Sequence, residues 1–203
     1  VWHILRTMWD AGLVYRGHKV LPYCPRCGTP LSSHEVSQGY AEKEDPSIYL
    51  RFRLKEEPDT FLLIWTTTPW TLISNVAVAV NPGFTYFKVN HKGEKLWIAE
   101  RRVEAVLGKD YEVLERKKGS ELVGLHYEPP FTYATFEGRA HVVVAADFVT
   151  GEDGTGLVHT APAFGADDYN LGRGENLAFV NPVLEDGTFT KEITPWRGVF
   201  VID

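Results

Sequence analysis

The sequence predicts an α+β fold that is mainly β: a closed, barrel-like sheet with short peripheral helices, preceded by one helix and a cysteine knuckle. Three observations point there. From Tyr40 onward, about nine short apolar segments recur between turn-forming Gly, Pro, Asn and Asp residues. Only two short stretches in that region read as helix, and many strands with few helices favour strongly curved, closed β-structure. Residues 1–39 differ in kind, a helical pattern followed by a loop rich in Pro, Cys, Gly and Ser, so a 1–39 module precedes one of 40–203.

In chain order, "VWHILRTMWDAGLVYRG" places Trp2, Leu5, Trp9 and Leu13 on one helical face, with Gly17 as the stop. A helix from the first residue suggests a piece of a longer chain. "KVLPYCPRCGTPLSSHEV" reads as a knuckle-like loop, with the module boundary near Gly39. "SIYLRFRL" alternates Ile48, Leu50, Phe52 and Leu54 on one face, and "TFLLIW" is a continuous buried run. "NVAVAV" ends at the turn "NPG", and "FTYFKV" and "KLWIAE" flank "NHKGE" as a hairpin. "RRVEAVLG" is a short helix closed by Gly108. "YEVLERKK", "HVVVAADFV" and "GLVHT" are strands, the last two joined by the polar turn "TGEDG". A second helix starts around Ala166–Asp167, and "NPVLEDGTFT" is a hairpin turning at Asp186–Gly187.

The 203 residues, 44% hydrophobic and 24% charged, suffice for one substantial domain and a small appendage. No apolar run nears the ~18–20 residues of a transmembrane helix, and no basic-then-apolar leader opens the chain. A formal charge of −6 speaks against an extended nucleic-acid groove, so any such contact is local, to one end or a few nucleotides. The two cysteines, both in "CPRC", make no disulfide framework and suit a reduced cytoplasmic setting.

Three stretches have chemical potential. Cys24-Pro-Arg-Cys27 has the spacing of half a zinc ribbon, two thiolates on one tight turn. Zinc needs four ligands, and the nearby His18 and His34 sit at unusual spacings. A half site with a second CxxC elsewhere is favoured over a complete local set, and an empty cysteine loop stays open. Next, "WTTTPWT" sets Thr66, Thr67 and Thr68 at the end of a buried strand. Internal threonines lack the terminal amine that makes threonine a nucleophile. Strand alternation turns Thr66 and Thr68 to one side and Thr67 to the other, before Pro69 ends the run. Such hydroxyls suit either a cleft, where they bind ligand or water, or a plain hydroxyl-rich sheet edge. Finally, "GTGLVHTAPAFGADDYN" supplies Gly154 and Gly156 for close backbone approach, His159 in a strand, and Asp167 and Asp168 at a helix start. One acid there is explained by the helix dipole, while its neighbour is free to face a ligand ammonium. His159 equally suits a hydrogen-bonded structural role. There is no G-x-S-x-G elbow, phosphate loop or H-E-x-x-H, so a hydrolase of this sequence would use water as nucleophile.

Together "WTTTPWTLISNVAVAVNP" and "GTGLVHTAPAFGADDY" resemble the editing (CP1) domain inserted into class I aminoacyl-tRNA synthetases, in the form found in isoleucyl-tRNA synthetases. The resemblance covers nearly the whole chain. It departs in "APAFG", where many bacterial members have "APGHG", leaving the histidine and aspartate positions intact. It implies hydrolysis of valine mischarged to tRNA(Ile) and of valyl adenylate, without a cofactor. Asp168 would hold the substrate ammonium, and His159 would bound the side-chain pocket. Thr66, Thr67 and Thr68 would contact the ester and position water. Trp70 and Phe164 would be apolar substrate contacts, with Asn75 near the terminal adenosine and Asp167 beside the substrate. The partners implied are the acceptor end of tRNA(Ile) and the parent synthetase body, for a cytoplasmic monomer with no membrane contact. Cys24 and Cys27 would be a half site whose partner CxxC lies beyond Asp203, so structural zinc belongs to the full-length protein alone. A rival reading is a non-catalytic module that binds the tRNA end and works only within the full synthetase.

Overall fold

Helix α1 (Trp2–Asp10) opens the computed structural model, which describes residues 1–42 and 44–202. Lys43 and Asp203, both inside the 40–203 module read from the sequence, lie outside the described residues. The helix stops at Ala11–Gly12 rather than at Gly17, because Gly12 takes φ +69° and breaks the helical path. Its apolar stripe is bare: Trp2 is 84% and Trp9 67% exposed. The knuckle contains more structure than a loop. Strands β1 (Tyr23–Cys24) and β2 (Thr29–Pro30) pair antiparallel around the cysteines. Helix α2 (Ser33–Ser37) follows, closed at its start by a capping box. There Ser32 N–H donates to Glu35 Oε2 (2.7 Å) and Glu35 N–H donates to Ser32 Oγ (3.3 Å).

The main sheet is built from β3 (Ile48–Arg53), β4 (Thr60–Thr66), β5 (Ala77–Val80), β6 (Thr85–His91), β7 (Glu94–Ala99), β8 (Glu112–Lys118), β9 (Val142–Ala145) and β10 (Leu157–Thr160). These match eight of the segments read from the sequence. The last expected hairpin is reduced to an isolated bridge between Val183 and Phe189. Three short helices accompany the sheet: α3 (Val103–Leu107), α4 (Gly119–Leu122) and α5 (Ala166–Gly174). α4 was not anticipated.

β4 organises everything else. One edge pairs along its length with β3, from Ile48↔Thr66 to Arg53↔Phe61. The other edge is shared, Thr60–Leu62 with β7 and Trp65 with Val158 of β10, both parallel. The sheet therefore splits into two wings, β7-β6-β8 and β10-β5-β9. β4 is buried on both faces: Leu62 and Ile64 enter one core with Phe52, Leu72 and Trp97, while Leu63 enters another with Phe87, Ile98 and Val103 of α3. Each such side chain contributes roughly 1.5–3 kcal/mol of burial, which is why the continuous run "FLLI" sits at the fork. The ladders alone form a curled half-barrel rather than the closed sheet expected. Segment 124–128 spans the remaining side through isolated bridges, Leu54↔Tyr127 and His126↔Val142.

Candidate functional site

Where the wings separate, the 150–157 loop fills the fork. Gly156 (φ +74°) passes so close to β7 that an added Cβ would stand 2.3 Å from Ala99 Cβ. Gly154 (φ +60°) lies flat against the Trp65 ring, with 2.8 Å from a would-be Cβ to Cε3. Both the left-handed backbone and the close approach require glycine here. Beside this loop opens a cavity of about 340 Å³. Its wall brings together Thr66, Thr67, Thr68, Trp70, His159, Phe164 and Asp168, two groups roughly ninety positions apart in sequence.

β4 ends at Thr66, and a 3₁₀ turn over Pro69–Ser74 begins at once. Thr66 is buried and its Oγ1 accepts the Thr68 N–H (3.1 Å), with the two hydroxyls 3.4 Å apart. Thr67 and Thr68 are exposed toward the cavity. Thr66 and Thr68 thus share a side as strand alternation requires, although the backbone has already left the strand.

His159 is 8% exposed and both ring nitrogens are engaged. Thr71 Oγ1 lies 2.8 Å from Nε2 and Asn75 Nδ2 lies 2.8 Å from Nδ1. Burial pushes its pKa down from 6.5 to about 4, so the ring is neutral at pH 7. Asn75 is fully buried and stands behind His159, outside the cavity wall. Its amide is committed to Ala77 O, His159 and the Tyr127 hydroxyl, one layer behind the cavity surface.

α5 starts at Gly165, whose missing side chain leaves room for Asp168 to fold back over the helix start. Asp168 Oδ2 accepts the Ala161 N–H (3.2 Å). Burial raises its pKa from 3.8 to about 6, assisted by the charge on Asp167. A carboxylate so poorly solvated favours a cation. Asp167, by contrast, is exposed and off the cavity wall, where it faces water and complements the helix dipole. Trp70 and Phe164 meet edge to face (4.9 Å between centroids) and form a partition. On its far side lies a second cavity of about 520 Å³, also bounded by both rings.

A family model described as tRNA synthetases class I (I, L, M and V) matches residues 1–183. The chain belongs to the class I tRNA synthetase family. Among the class I relatives, it is 50% identical over 202 residues to the isoleucine–tRNA ligase of Clostridium kluyveri, covering 100% of this chain and 19% of that protein. It is 46% identical over 197 residues to that of Thermoplasma volcanium, covering 97% and 19%. The chain therefore spans about a fifth of the length of these ligases. By fold it resembles the P. knowlesi cytosolic leucyl-tRNA synthetase editing domain (TM-score 0.53, 17% identity, 68% of this chain and 66% of that one). It also resembles the solved structure of GlLeuRS-CP1 (TM-score 0.51, 18% identity, 63% and 59%). The fold is thus shared with solved leucyl-tRNA synthetase editing domains.

Within this class I synthetase chain the knuckle stands apart from the cavity. Cys27 N–H points at Cys24 Sγ (3.4 Å), and the Cys24 thiol is held below its usual range chiefly by the Cys27 side chain. Two thiols supply half a tetrahedral set. No group of three or more His, Cys, Asp and Glu side chains converges on a metal site among the described residues. His34 is turned to Gln38 and His18 stacks on Phe179, so neither completes the set. Sequence reasoning missed Thr71, Tyr127 and the loop residues Thr150, Asp153 and Thr155 as parts of the site. "TGEDG" carried only a turn signal, and a buried tyrosine carries none.

Proposed function

We propose that this chain is the editing domain of an isoleucine–tRNA ligase, a deacylase that hydrolyses valine from mischarged tRNA(Ile) and from valyl adenylate. The observation that supports this is the meeting of a desolvated carboxylate, a threonine cluster and an aromatic partition in one cavity, within a chain of ligase sequence. Such editing answers a physical limit, of which the isoleucine enzymes are the standing example: one missing methylene is worth only ~1–3 kcal/mol to a hydrophobic pocket.

In this reading Asp168 receives the α-ammonium, and Trp70 and Phe164 flank the ligand. Thr66, Thr67 and Thr68 hold a water against the ester carbonyl. That water adds to the acyl carbon, the ribose oxygen leaves with a proton, and valine departs as the free acid. His159 bounds the side-chain pocket by shape. It is no base for the water, because both ring nitrogens are already engaged, Nδ1 by Asn75 and Nε2 by Thr71. A ribose hydroxyl of the terminal nucleotide assists the water instead. The partners are the tRNA acceptor end and the synthetase body, to which the bare apolar stripe of α1 would turn, in the cytoplasm. No helix among the described residues is long and apolar enough to cross a membrane.

Incubation of the chain with valyl-tRNA(Ile) and isoleucyl-tRNA(Ile) tests this: valine should be released selectively. Equal slow loss of both would sink it. One alternative is a tRNA-end binding module that is inactive without the body, its −6 charge matching weak binding of intact tRNA by the chain alone; binding without release of either amino acid would establish that reading.

A further inference from the structure

Tyr127 is fully buried on the 124–128 segment, stacked on Phe52 (5.2 Å), and its hydroxyl donates to Asn75 Oδ1 at 2.6 Å. That one bond has consequences along a chain of contacts. With Oδ1 accepting from Tyr127, the Asn75 Nδ2 hydrogens face Ala77 O (3.0 Å) and His159 Nδ1 (2.8 Å). Both neighbours are then acceptors, so the amide has one satisfied orientation. A His159 Nδ1 that accepts leaves the proton on Nε2, which donates to Thr71 Oγ1 (2.8 Å). The Thr71 hydroxyl in turn donates to Thr68 O (2.8 Å), the carbonyl at which the threonine run turns into the 3₁₀ segment. Every donor meets an acceptor in one direction only.

We infer that Tyr127 is a positioning residue for the threonine cluster: through Asn75 it holds His159 as the neutral Nε2–H tautomer, and through Thr71 it fixes the carbonyl of Thr68. The relay couples the segment that spans the open side of the half-barrel to the cavity wall at His159 and Thr71. It rests on the deacylase reading for its effect on rate, but the tautomer itself is a property of the chain alone.

The test uses long-range ¹H–¹⁵N NMR of the histidine-labelled chain at pH 7, with valine release measured in parallel. The unsubstituted chain should show His159 protonated at Nε2. Tyr127→Phe keeps the ring on Phe52 and removes only the donor; it should give mixed tautomers and lower kcat about tenfold, the weight of a single uncharged hydrogen bond, with KM little changed. Asn75→Asp replaces the donor facing Nδ1 with an acceptor and should move the proton to Nδ1. Thermal melts separate these effects from unfolding. A His159 protonated at Nδ1 in the unsubstituted chain, or spectra unchanged in folded Tyr127→Phe and Asn75→Asp, would overturn the relay, and an unchanged kcat beside shifted tautomers would remove its role in positioning. Tautomers that shift as described in a chain that releases no valine uphold the relay and refute the deacylase reading instead.

Discussion

Replacing Asp168 by Asn should make the chain more stable and much less active. The carboxyl is buried against the start of α5, and among the described hydrogen bonds one reaches it, from Ala161 N–H. Its pKa stands at about 6 against an ordinary 3.8. The difference, near two units, converts to about 3 kcal/mol that folding loses at pH 7 by burying the ionised form. The sign follows from proton binding. A folded pKa above the unfolded one means the stabilising form is fully present below 3.8 and is lost as pH rises through 6. Asn keeps the acceptor for Ala161 and carries no charge, so Asp168→Asn should gain up to ~3 kcal/mol at pH 7 and almost nothing at pH 4. Valine release should fall, because the ammonium loses its counter-charge: a desolvated pair is worth ~2–5 kcal/mol, or ~30- to ~5,000-fold in kcat/KM. Urea unfolding at the two pH values, beside a deacylation assay, measures both. A variant less stable than its parent at pH 7 would refute the burial argument. Valine release within about threefold of the parent, less than ~1 kcal/mol, would refute the ammonium anchor.

The remaining expectations are shorter. His159→Ala should widen the pocket and let isoleucyl-tRNA(Ile) be hydrolysed, cutting valine discrimination by about 10- to 100-fold, the weight of one methylene; the ratio of the two release rates reads it. In the parent chain, kcat/KM should fall tenfold per pH unit below about 6, as Asp168 takes up a proton and loses the ammonium, and stay flat above it. Gly156→Ala drives a methyl into Ala99 and strains a left-handed residue, costing about 3 kcal/mol and lowering Tm by roughly 6–12 °C in a melt. Chelator, or the pair Cys24→Ser and Cys27→Ser, should leave valine release unchanged, since the knuckle lies off the cavity wall; a zinc-dependent hydrolase would lose it.

Strand positions were readable because period-two burial is a local property: Phe52 and Leu54 point inward and Tyr49 outward as their spacing requires. The fork in β4 was not readable. "TFLLIW" announces burial on both faces, yet nothing in it says that β7 takes the first half of one edge and β10 the second. The capping box at Ser32 and Glu35 was present as S-x-x-E but was hidden by the Pro, Cys and Gly around it. In the site, the motif residues Thr66 to Thr68, His159 and Asp168 do share a cavity, whereas Asn75 and Asp167 do not line it. Short-range spacing locates a side chain on an element. Only tertiary packing decides whether Asn75 reaches the cavity or stands one residue behind it.

The two buried titratable groups of the site have opposite linkage, and their sum bears on how dry the cavity is. His159 has a folded pKa of about 4 against 6.5, so the unfolded chain binds its proton first and stability drains away as pH falls through that window. Asp168 does the reverse between 6 and 3.8. At pH 5 the folded chain holds roughly nine-tenths of a proton more than the unfolded one on Asp168, and roughly nine-tenths fewer on His159, so their slopes cancel. Removing one group uncovers the other. Relative to the parent, Asp168→Asn should lose about 2 kcal/mol of its advantage between pH 6.5 and 4, while His159→Gln should gain a similar amount over the same range. Both shifts come from one cause, the exclusion of water from the wall that Thr71, His159 and Asp168 share. If the two difference curves do not mirror one another, the two groups do not share one desolvated environment. A carboxylate in a wet pocket would then bind the ammonium too weakly for the roles given to Asp168.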